Sequence, residues 1–167
     1  SLLRDPEVLG YVAITAAGTA VIAGVLIWQQ GYALENGFRS ALFQVSSIIT
    51  TTGFVSDDFE AWRPLPQLIL LALMFVGGCT GSTAGGLKVS RIMLLSRVVD
   101  REFKRMVERR GVFAVRLGGQ VVPESTVQSL LNLVYLAFVV NFVSCLALAA
   151  LGVDVLTAIA AVAASMF

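Results

Sequence analysis

Three long stretches without a charged residue limit most strongly how this chain can fold. They cover residues 8–34, 64–87 and 125–153, and they are 27, 24 and 29 residues long. A helix needs roughly 20 consecutive apolar residues to cross the hydrocarbon core of a bilayer. Only 14% of the 167 residues are charged and 57% are hydrophobic, whereas soluble domains carry about 25% charge. We therefore predict an integral membrane protein.

The charged residues are unevenly distributed along the chain. Nine of the twelve Lys and Arg residues lie between Lys88 and Arg116, whereas 35–39 and 57–63 together hold four acids and two bases. Lys and Arg are enriched on the cytoplasmic side of membrane proteins. We predict that the basic region is cytoplasmic and that the two acidic stretches lie outside.

Landmarks along the chain recur at a fixed distance. A Pro-Glu pair precedes the first long stretch at 6–7 and the third at 123–124, 117 positions later. The first stretch is followed by Asn36 and the third by Asp154, and both residues suit a helix N-cap. We predict two copies of one unit, the second truncated. The lack of an initiator Met is expected of an excised fragment.

The unit is predicted to contain a helix that enters the membrane without crossing it. A spanning helix at about 9–29 is followed by a short helix at 37–49, whose thirteen residues reach only ~20 Å. The chain then has to return to the outer surface before a second membrane segment at about 66–99. This is a re-entrant loop.

The predicted fold class is therefore all-α and membrane-integral, with potassium-channel-like repeats of membrane helix, pore helix, filter loop and membrane helix. The first unit would cover 1–110, including a cytoplasmic extension from about 100 to 110. A cytoplasmic connector would follow at 111–124. The truncated repeat at 125–167 would contain a spanning helix at about 125–151 and a pore helix at about 155–167.

The segment after the short helix carries carbonyl and hydroxyl oxygens into the membrane. It consists of Thr50, Thr51, Thr52 and Gly53. Irregular backbone at membrane depth is tolerated where it is buried in protein or lines water, and carbonyl oxygens can replace the hydration shell of a cation. We predict a selectivity filter that binds K⁺. The alternative is a polar helix end with Gly53 as its C-cap.

A second irregular segment lies inside the next membrane segment. It holds five glycines in ten residues: Gly77, Gly78, Cys79, Thr80, Gly81, Ser82, Thr83, Ala84, Gly85 and Gly86. Glycine disfavours helix, so we predict a break between 66–76 and 87–97, and an intramembrane gating loop. The alternative is a small-residue surface for close helix packing. A phosphate-binding loop is disfavoured, because Leu87 separates Gly86 from Lys88, no strand is predicted before it, and the segment lies in an apolar stretch.

Charged residues follow the predicted gating loop. Lys88 and Arg91 either extend to the cytoplasmic interface, hold the loop, or repel cations in a closed state. The mixed charges of 100–116 predict a solvated amphipathic helix, which would suit a cytosolic partner or anionic lipid.

Two segments, FQVSSIITTTGF at 43–54 and GGCTGSTAGGLK at 77–88, resemble the Trk/Ktr/HKT superfamily of potassium transporters, most closely its bacterial TrkH branch. The resemblance covers essentially the whole chain. It implies four units around a pseudo-fourfold pore, of which this chain would be the third and the start of the fourth. Gly53 would be the filter glycine of the third unit, and 77–86 the gating loop. Cys79 departs from the Asn expected in the family.

The resemblance also implies the setting of the protein. It would be a multi-pass protein of the bacterial inner membrane and a homodimer. Cytosolic nucleotide-binding regulatory subunits of the TrkA type would bind it. It would need no cofactor of its own, with nucleotide bound only by that partner, and no nucleic acid.

Potassium transport is thus the predicted function. A Na⁺/K⁺ transporter of the same superfamily and a non-conducting scaffold remain alternatives. An enzyme with Ser82 or Cys79 as nucleophile is disfavoured, because the chain has no His and Ser82 and Lys88 would not share a helical face.

Overall fold

The structure, a computed structural model, describes residues 5–107, 116–117 and 120–166. These residues form six α-helices: α1 (Pro6–Gln30), α2 (Leu34–Ile49), α3 (Pro64–Met74), α4 (Val89–Val107), α5 (Glu124–Ala150) and α6 (Val155–Met166). A single 3₁₀ turn, Phe59–Ala61, precedes α3. Two-residue strands, β1 (Arg116–Leu117) and β2 (Gln120–Val121), pair antiparallel. The described chain is otherwise helical in its regular elements, as predicted.

Two of the described helices, α1 with 25 residues and α5 with 27, are long and apolar enough to cross a membrane. The Asp5 side chain accepts a hydrogen bond from the Glu7 N–H, and Pro6 opens α1 with a φ already suited to a helix. Gly31 ends the helix in the left-handed region at φ 73°, where glycine has no Cβ to clash.

The start of α2 differs from its prediction. The helix begins at Leu34 with Ala33 as its N-cap and without a capping side chain, so Asn36 lies inside it and the cap prediction was wrong. The helix starts three residues before the predicted position, and only three residues separate it from the end of α1. Asp154 does cap α6 and accepts a hydrogen bond from the Leu156 N–H at 3.2 Å.

The described residues up to Val89, together with 163–166, form one compact unit. In it α1, α2 and α3 pack around a shared apolar core, whose buried members are Ile22, Ala23, Leu26, Ala41, Val45, Ile49, Trp62, Leu70 and Leu73. A Cβ on Gly37 would lie 2.9 Å from the Ile27 Cγ1. Glycine at this position therefore allows α2 to approach α1 closely.

Polar contacts tie the start of α3 to the end of α1 and to the 3₁₀ turn that precedes it. The Arg63 guanidinium donates to Gln29 Oε1 at 3.2 Å, and the Gln67 amide donates to the Glu60 carbonyl at 2.8 Å. The chain that leaves the C-terminus of α2 therefore returns to the end of the unit at which α2 began.

The described residues of Ser90–Val162 form the second compact unit. Leu94 and Val98 of α4 pack against Val127 and Leu130 of α5. Arg101 is only 7% exposed, and its guanidinium donates to both carboxylate oxygens of Glu124 at 2.7 and 3.0 Å. These hydrogen bonds raise the pKa of Arg101 above its ordinary value, so its charge is retained.

Most of α5 beyond this contact is both apolar and exposed, including Tyr135, Leu136, Phe138 and Phe142. A helix that is apolar on all sides suits a surrounding of lipid or further protein. The predicted end of the cytoplasmic extension, at 108–110, and residues 111–115 and 118–119 of the connector lie outside the described residues.

Candidate functional site

The predicted filter lies where α2 ends. Thr50 is the C-cap with φ −81° and ψ 0°, while Thr51 has φ 54° and Gly53 has φ 75°. The first left-handed residue is therefore Thr51, and the alternative prediction that Gly53 caps the helix was wrong. A left-handed L-residue costs roughly 1–2 kcal/mol, so the surroundings of Thr51 must hold it in place.

The backbone N–H groups of residues 50–53 all point back to α2. They donate to the carbonyls of 46–48 at 2.9–3.4 Å. In contrast, the carbonyl oxygens of residues 50–53 receive no hydrogen bond from any other described residue. This segment therefore presents a short run of backbone oxygens that remain available to a ligand.

The threonine hydroxyls brace this turn. Thr50 Oγ1 lies 2.7 Å from the Ser46 carbonyl and 2.7 Å from Thr52 Oγ1. The Thr51 hydroxyl accepts a hydrogen bond from the Gly85 N–H at 3.3 Å. Each hydroxyl oxygen keeps a lone pair in these contacts, so the expectation that hydroxyl oxygens join the carbonyls as ligands stays a prediction.

Ser47 is a residue of this site that the sequence analysis did not single out. Its hydroxyl donates to the Phe54 carbonyl at 2.7 Å. This bond spans the turn and fixes where the chain leaves residues 50–53, called the filter segment below. Its sequence signals were its place in the 43–54 segment of family resemblance and its position three residues before Thr50, within the last turn of α2.

A cavity of about 140 Å³ adjoins the filter segment. Its lining combines the end of α2 with side chains of α3 and α6: Ser47, Ile48, Thr51, Gly53, Met74, Ala163 and Ala164. No atom lies within 4 Å of the position a Cβ on Gly53 would take. Gly53 therefore borders open space, and its positive φ rather than crowding favours glycine there.

The predicted gating loop is an irregular segment of residues 75–88 between α3 and α4. The Gly77 N–H donates to the Leu87 carbonyl at 2.9 Å, and the Leu87 N–H donates to the Phe75 carbonyl at 3.0 Å. These bonds pair the two ends of the loop in a parallel bridge between Val76 and Leu87. The break is wider than predicted, by two residues on each side, because this pairing requires extended backbone.

Two glycines allow the ends of the loop to meet. A Cβ on Gly77 would lie 2.0 Å from the Gly85 carbonyl oxygen. Gly86 has φ 73°, and a Cβ there would lie 2.8 Å from the Gly77 nitrogen. Because the segment is not helical, its glycines bring backbone close to backbone within the loop. They do not form a helix-packing surface.

Lys88 closes the loop from its C-terminal end. Its ammonium donates to the carbonyls of Ser82 and Ala84 at 2.9 and 2.6 Å, and lies 3.3 Å from Ser82 Oγ. The prediction that Ser82 and Lys88 are apart was wrong, since the irregular backbone folds one over the other. In these contacts the Lys88 nitrogen serves as a hydrogen-bond donor to two carbonyls, which ties it to the loop backbone. Arg91 is exposed on α4.

The loop also contacts two other parts of its unit. The Gly85 N–H reaches Thr51 of the filter segment. Thr80 donates from both its backbone N–H and its hydroxyl to Glu7 Oε1 at the start of α1. The structure thus brings the filter segment and the loop together. It also adds Glu7, for which the repeated Pro-Glu pair was the only sequence signal.

Known proteins resemble this chain over nearly its whole length. TrkH of Vibrio parahaemolyticus, a Trk system potassium uptake protein, is 38% identical over 165 residues. TrkH of Escherichia coli strain K12 is 36% identical over 170 residues, and TrkG of the same strain is 32% identical over 166. Each comparison covers 98% of this chain but 34% of the relative. The chain therefore spans about a third of the length of these relatives.

A solved structure and a family profile agree with these relatives. The crystal structure of the potassium transporter TrkH from Vibrio parahaemolyticus matches with a TM-score of 0.90 and 37% identity, over 97% of this chain and 35% of that one. The profile of the TrkH family, described as a cation transport protein, matches residues 14–166. On these grounds the chain belongs to the TrkH family of cation transport proteins.

Proposed function

We propose that the full-length protein takes up K⁺ through a membrane pore to which this chain contributes one filter segment and the loop beside it. The observation that carries the proposal is the backbone of 50–53, whose N–H groups are bound to α2 while its carbonyl oxygens lack donors among the described residues. Such oxygens can replace the hydration shell of K⁺. The names of the relatives, which are potassium uptake proteins, support the same ion.

The position of the filter segment suits a cation. It follows the C-terminus of α2, a 16-residue helix whose partial negative end would face the ion. Irregular backbone within a bilayer has to line a cavity or lie inside protein, and the cavity beside Thr51 and Gly53 meets this need. The ion itself is substrate, and we propose no cofactor bound by this chain.

The proposed architecture consists of four units of membrane helix, pore helix, filter and membrane helix around one pore. Residues 1–110 would be the third unit, with α1 and the α3–α4 segment as its membrane helices and α2 as its pore helix. Residues 111–124 would connect it to the fourth unit, which begins with α5 and α6. The protein would be a multi-pass protein of the bacterial inner membrane, with the basic region of α4 in the cytoplasm.

The proposed gate is the segment 77–86. Its backbone contacts the filter segment through Gly85 and Thr51, and Lys88 holds its turn together. A loop in this position would obstruct the ion path when it lies against the filter, and its displacement would open the path. Arg91 would add positive charge near the cytoplasmic side.

The proposed partners are a second copy of the full-length protein and a cytosolic nucleotide-binding subunit of the TrkA type. α4 offers a surface for such contacts, because Phe103 and Met106 are exposed beside Lys104 and Arg105. Nucleotide would act through that subunit. The transport needs no covalent chemistry, so we propose no enzymatic activity.

The filter assignment is tested in potassium-starved cells that express the full-length protein. Gly53→Asp and Gly53→Arg should abolish K⁺ uptake, because each places a charged side chain at the filter on a strained backbone. Gly31→Asp and Gly31→Arg are matched controls, since Gly31 has a similar φ of 73° but lies at the end of α1.

Normal uptake by the Gly53 variants at normal membrane abundance would remove the filter assignment. Flux measured from purified full-length protein in liposomes, with K⁺ or Na⁺ as the only permeant cation, separates the alternatives. Equal flux of both ions would favour a Na⁺/K⁺ transporter, and no flux of either would favour a scaffold.

A further inference from the structure

We propose that Glu7 is the positioning residue that holds the gating loop in its resting place against the filter segment. This inference rests on the proposed function of residues 77–86 as a gate. It adds a residue 70 or more positions away in sequence, at the start of α1, and assigns its carboxylate a task in controlling flux.

The geometry joins one carboxylate oxygen to both hydrogen-bond donors of a single residue. Thr80 donates to Glu7 Oε1 from its backbone N–H and from its hydroxyl, the latter at 2.9 Å. Hydrogen bonds to an ionised acceptor are about twice as strong as neutral ones. Thr80 lies near the middle of the loop, in a stretch where Gly78 and Gly81 disfavour any regular structure that could hold it otherwise.

The Glu7 contact is matched by a second contact at the other side of the loop. The Gly85 N–H donates to Thr51, while Thr80 reaches α1. The loop is thus held at two points five residues apart, one on the filter segment and one on a long apolar helix. Releasing Thr80 would loosen the half of the loop that lacks the Lys88 contacts, although Gly77 and Gly78 would still join it to Leu87 and Val89.

The related position in the second copy of the repeat also forms a side-chain tie. Glu124, which follows Pro123 as Glu7 follows Pro6, binds Arg101 of α4 with both carboxylate oxygens. Each glutamate therefore joins the start of a long apolar helix to the chain between α3 and α5. An acid in the first turn also favours its helix through the helix dipole, so the test has to separate these two effects.

The test measures how fast Cys79, the neighbour of Thr80, reacts with a maleimide in the purified full-length protein in liposomes. The protein carries Cys145→Ala and the replacement of any cysteine outside this chain. Glu7→Ala should speed the reaction by at least about tenfold, because it removes two hydrogen bonds to Thr80 and the loss of one charge-assisted hydrogen bond by itself has about that effect. Glu35→Ala is the matched control, because Glu35 is also a first-turn acid and serves the dipole of α2.

Glu7→Ala also removes a negative charge, which by itself favours the reactive thiolate of a nearby cysteine. Thr80→Val is therefore the decisive variant. It removes the hydroxyl donor without changing any charge, and should speed the reaction several-fold. The double variant Glu7→Ala, Thr80→Val should react no faster than Glu7→Ala alone, since both changes remove the same contact. Basal K⁺ flux should rise in the same order.

Equal rates for Thr80→Val and the parent protein, or additive effects in the double variant, would overturn the proposal. If Glu7→Ala does not fold, Glu7→Met takes its place with the same order of rates, because its side chain has no oxygen to accept the hydrogen bonds of Thr80. If the parent protein conducts no K⁺ but the variants still react with maleimide in the expected order, the proposed function is refuted and the Glu7–Thr80 contact stands. Normal flux with unchanged labelling would refute the tie alone.

Discussion

The backbone N–H of Gly85 donates a hydrogen bond to the hydroxyl of Thr51 at 3.3 Å. Gly85 belongs to the loop between α3 and α4, and Thr51 belongs to the filter segment at the end of α2. The two segments are 34 positions apart in the chain. This contact couples the conformation of the loop to the one left-handed threonine of the filter segment.

Loss of this contact should loosen the loop. Thr51→Val keeps the shape of the side chain but removes the hydroxyl that Gly85 binds. Since a neutral hydrogen bond contributes about 1 kcal/mol, we expect basal K⁺ flux through the full-length protein in liposomes to rise about fivefold.

Thr51→Ser, which keeps the hydroxyl, should stay close to the parent protein. Thr15→Val is a further control, because the Thr15 hydroxyl binds only a carbonyl of its own helix. A Thr51→Val protein with parental flux would show that this hydrogen bond does not restrain the loop.

The two ends of the loop should meet only because residue 77 is a glycine and has no Cβ. In Gly77→Ala the new Cβ would meet the Gly85 carbonyl oxygen at 2.0 Å, so the two backbone segments have to separate. Overpacking of this kind costs typically 1–3 kcal/mol. We expect a rise in basal K⁺ flux of about tenfold and a lower thermal midpoint of the purified protein.

Gly24→Ala is the matched control for this change, because its added Cβ meets no described atom within 4 Å outside the adjacent turns of its own helix and alanine favours helix. It should keep the parental flux and midpoint. Equal behaviour of the Gly77 and Gly24 variants would mean that the loop does not close as described.

The ammonium of Lys88 should restrain the turn that carries Ser82 and Ala84. In Lys88→Met its hydrogen bonds to two carbonyls are lost, and Cys79 should react with a maleimide faster. Removing a nearby positive charge by itself slows thiol reactions, so an increase in rate reports the loosened loop and not the changed charge.

Arg91→Met makes the same change of charge three positions further along, on an exposed part of α4. It should leave the rate at Cys79 unchanged or slightly lower. If both variants lower the rate equally, Lys88 acts only through its charge.

The long helices and the break between α3 and α4 could be predicted because each depends on residues that are neighbours in the chain. An uncharged stretch that is long enough to cross a bilayer as a helix is enough to predict α1 and α5. The density of glycines is enough to predict that no helix continues from Met74 to Val89. The family resemblance of 43–54 and 77–88 likewise follows from residues that are neighbours in the chain.

The contacts within the site depend on packing between residues that are far apart in the chain. The sequence alone predicted that residues 50–53 and 77–86 leave the helical state, because their composition disfavours it. Only the tertiary structure decided that the Thr51 hydroxyl binds Gly85, that Lys88 folds over Ser82, and that Glu7 holds Thr80. The physical reason is that an irregular backbone has no fixed period, so the direction of each donor is set by the helices that pack around it.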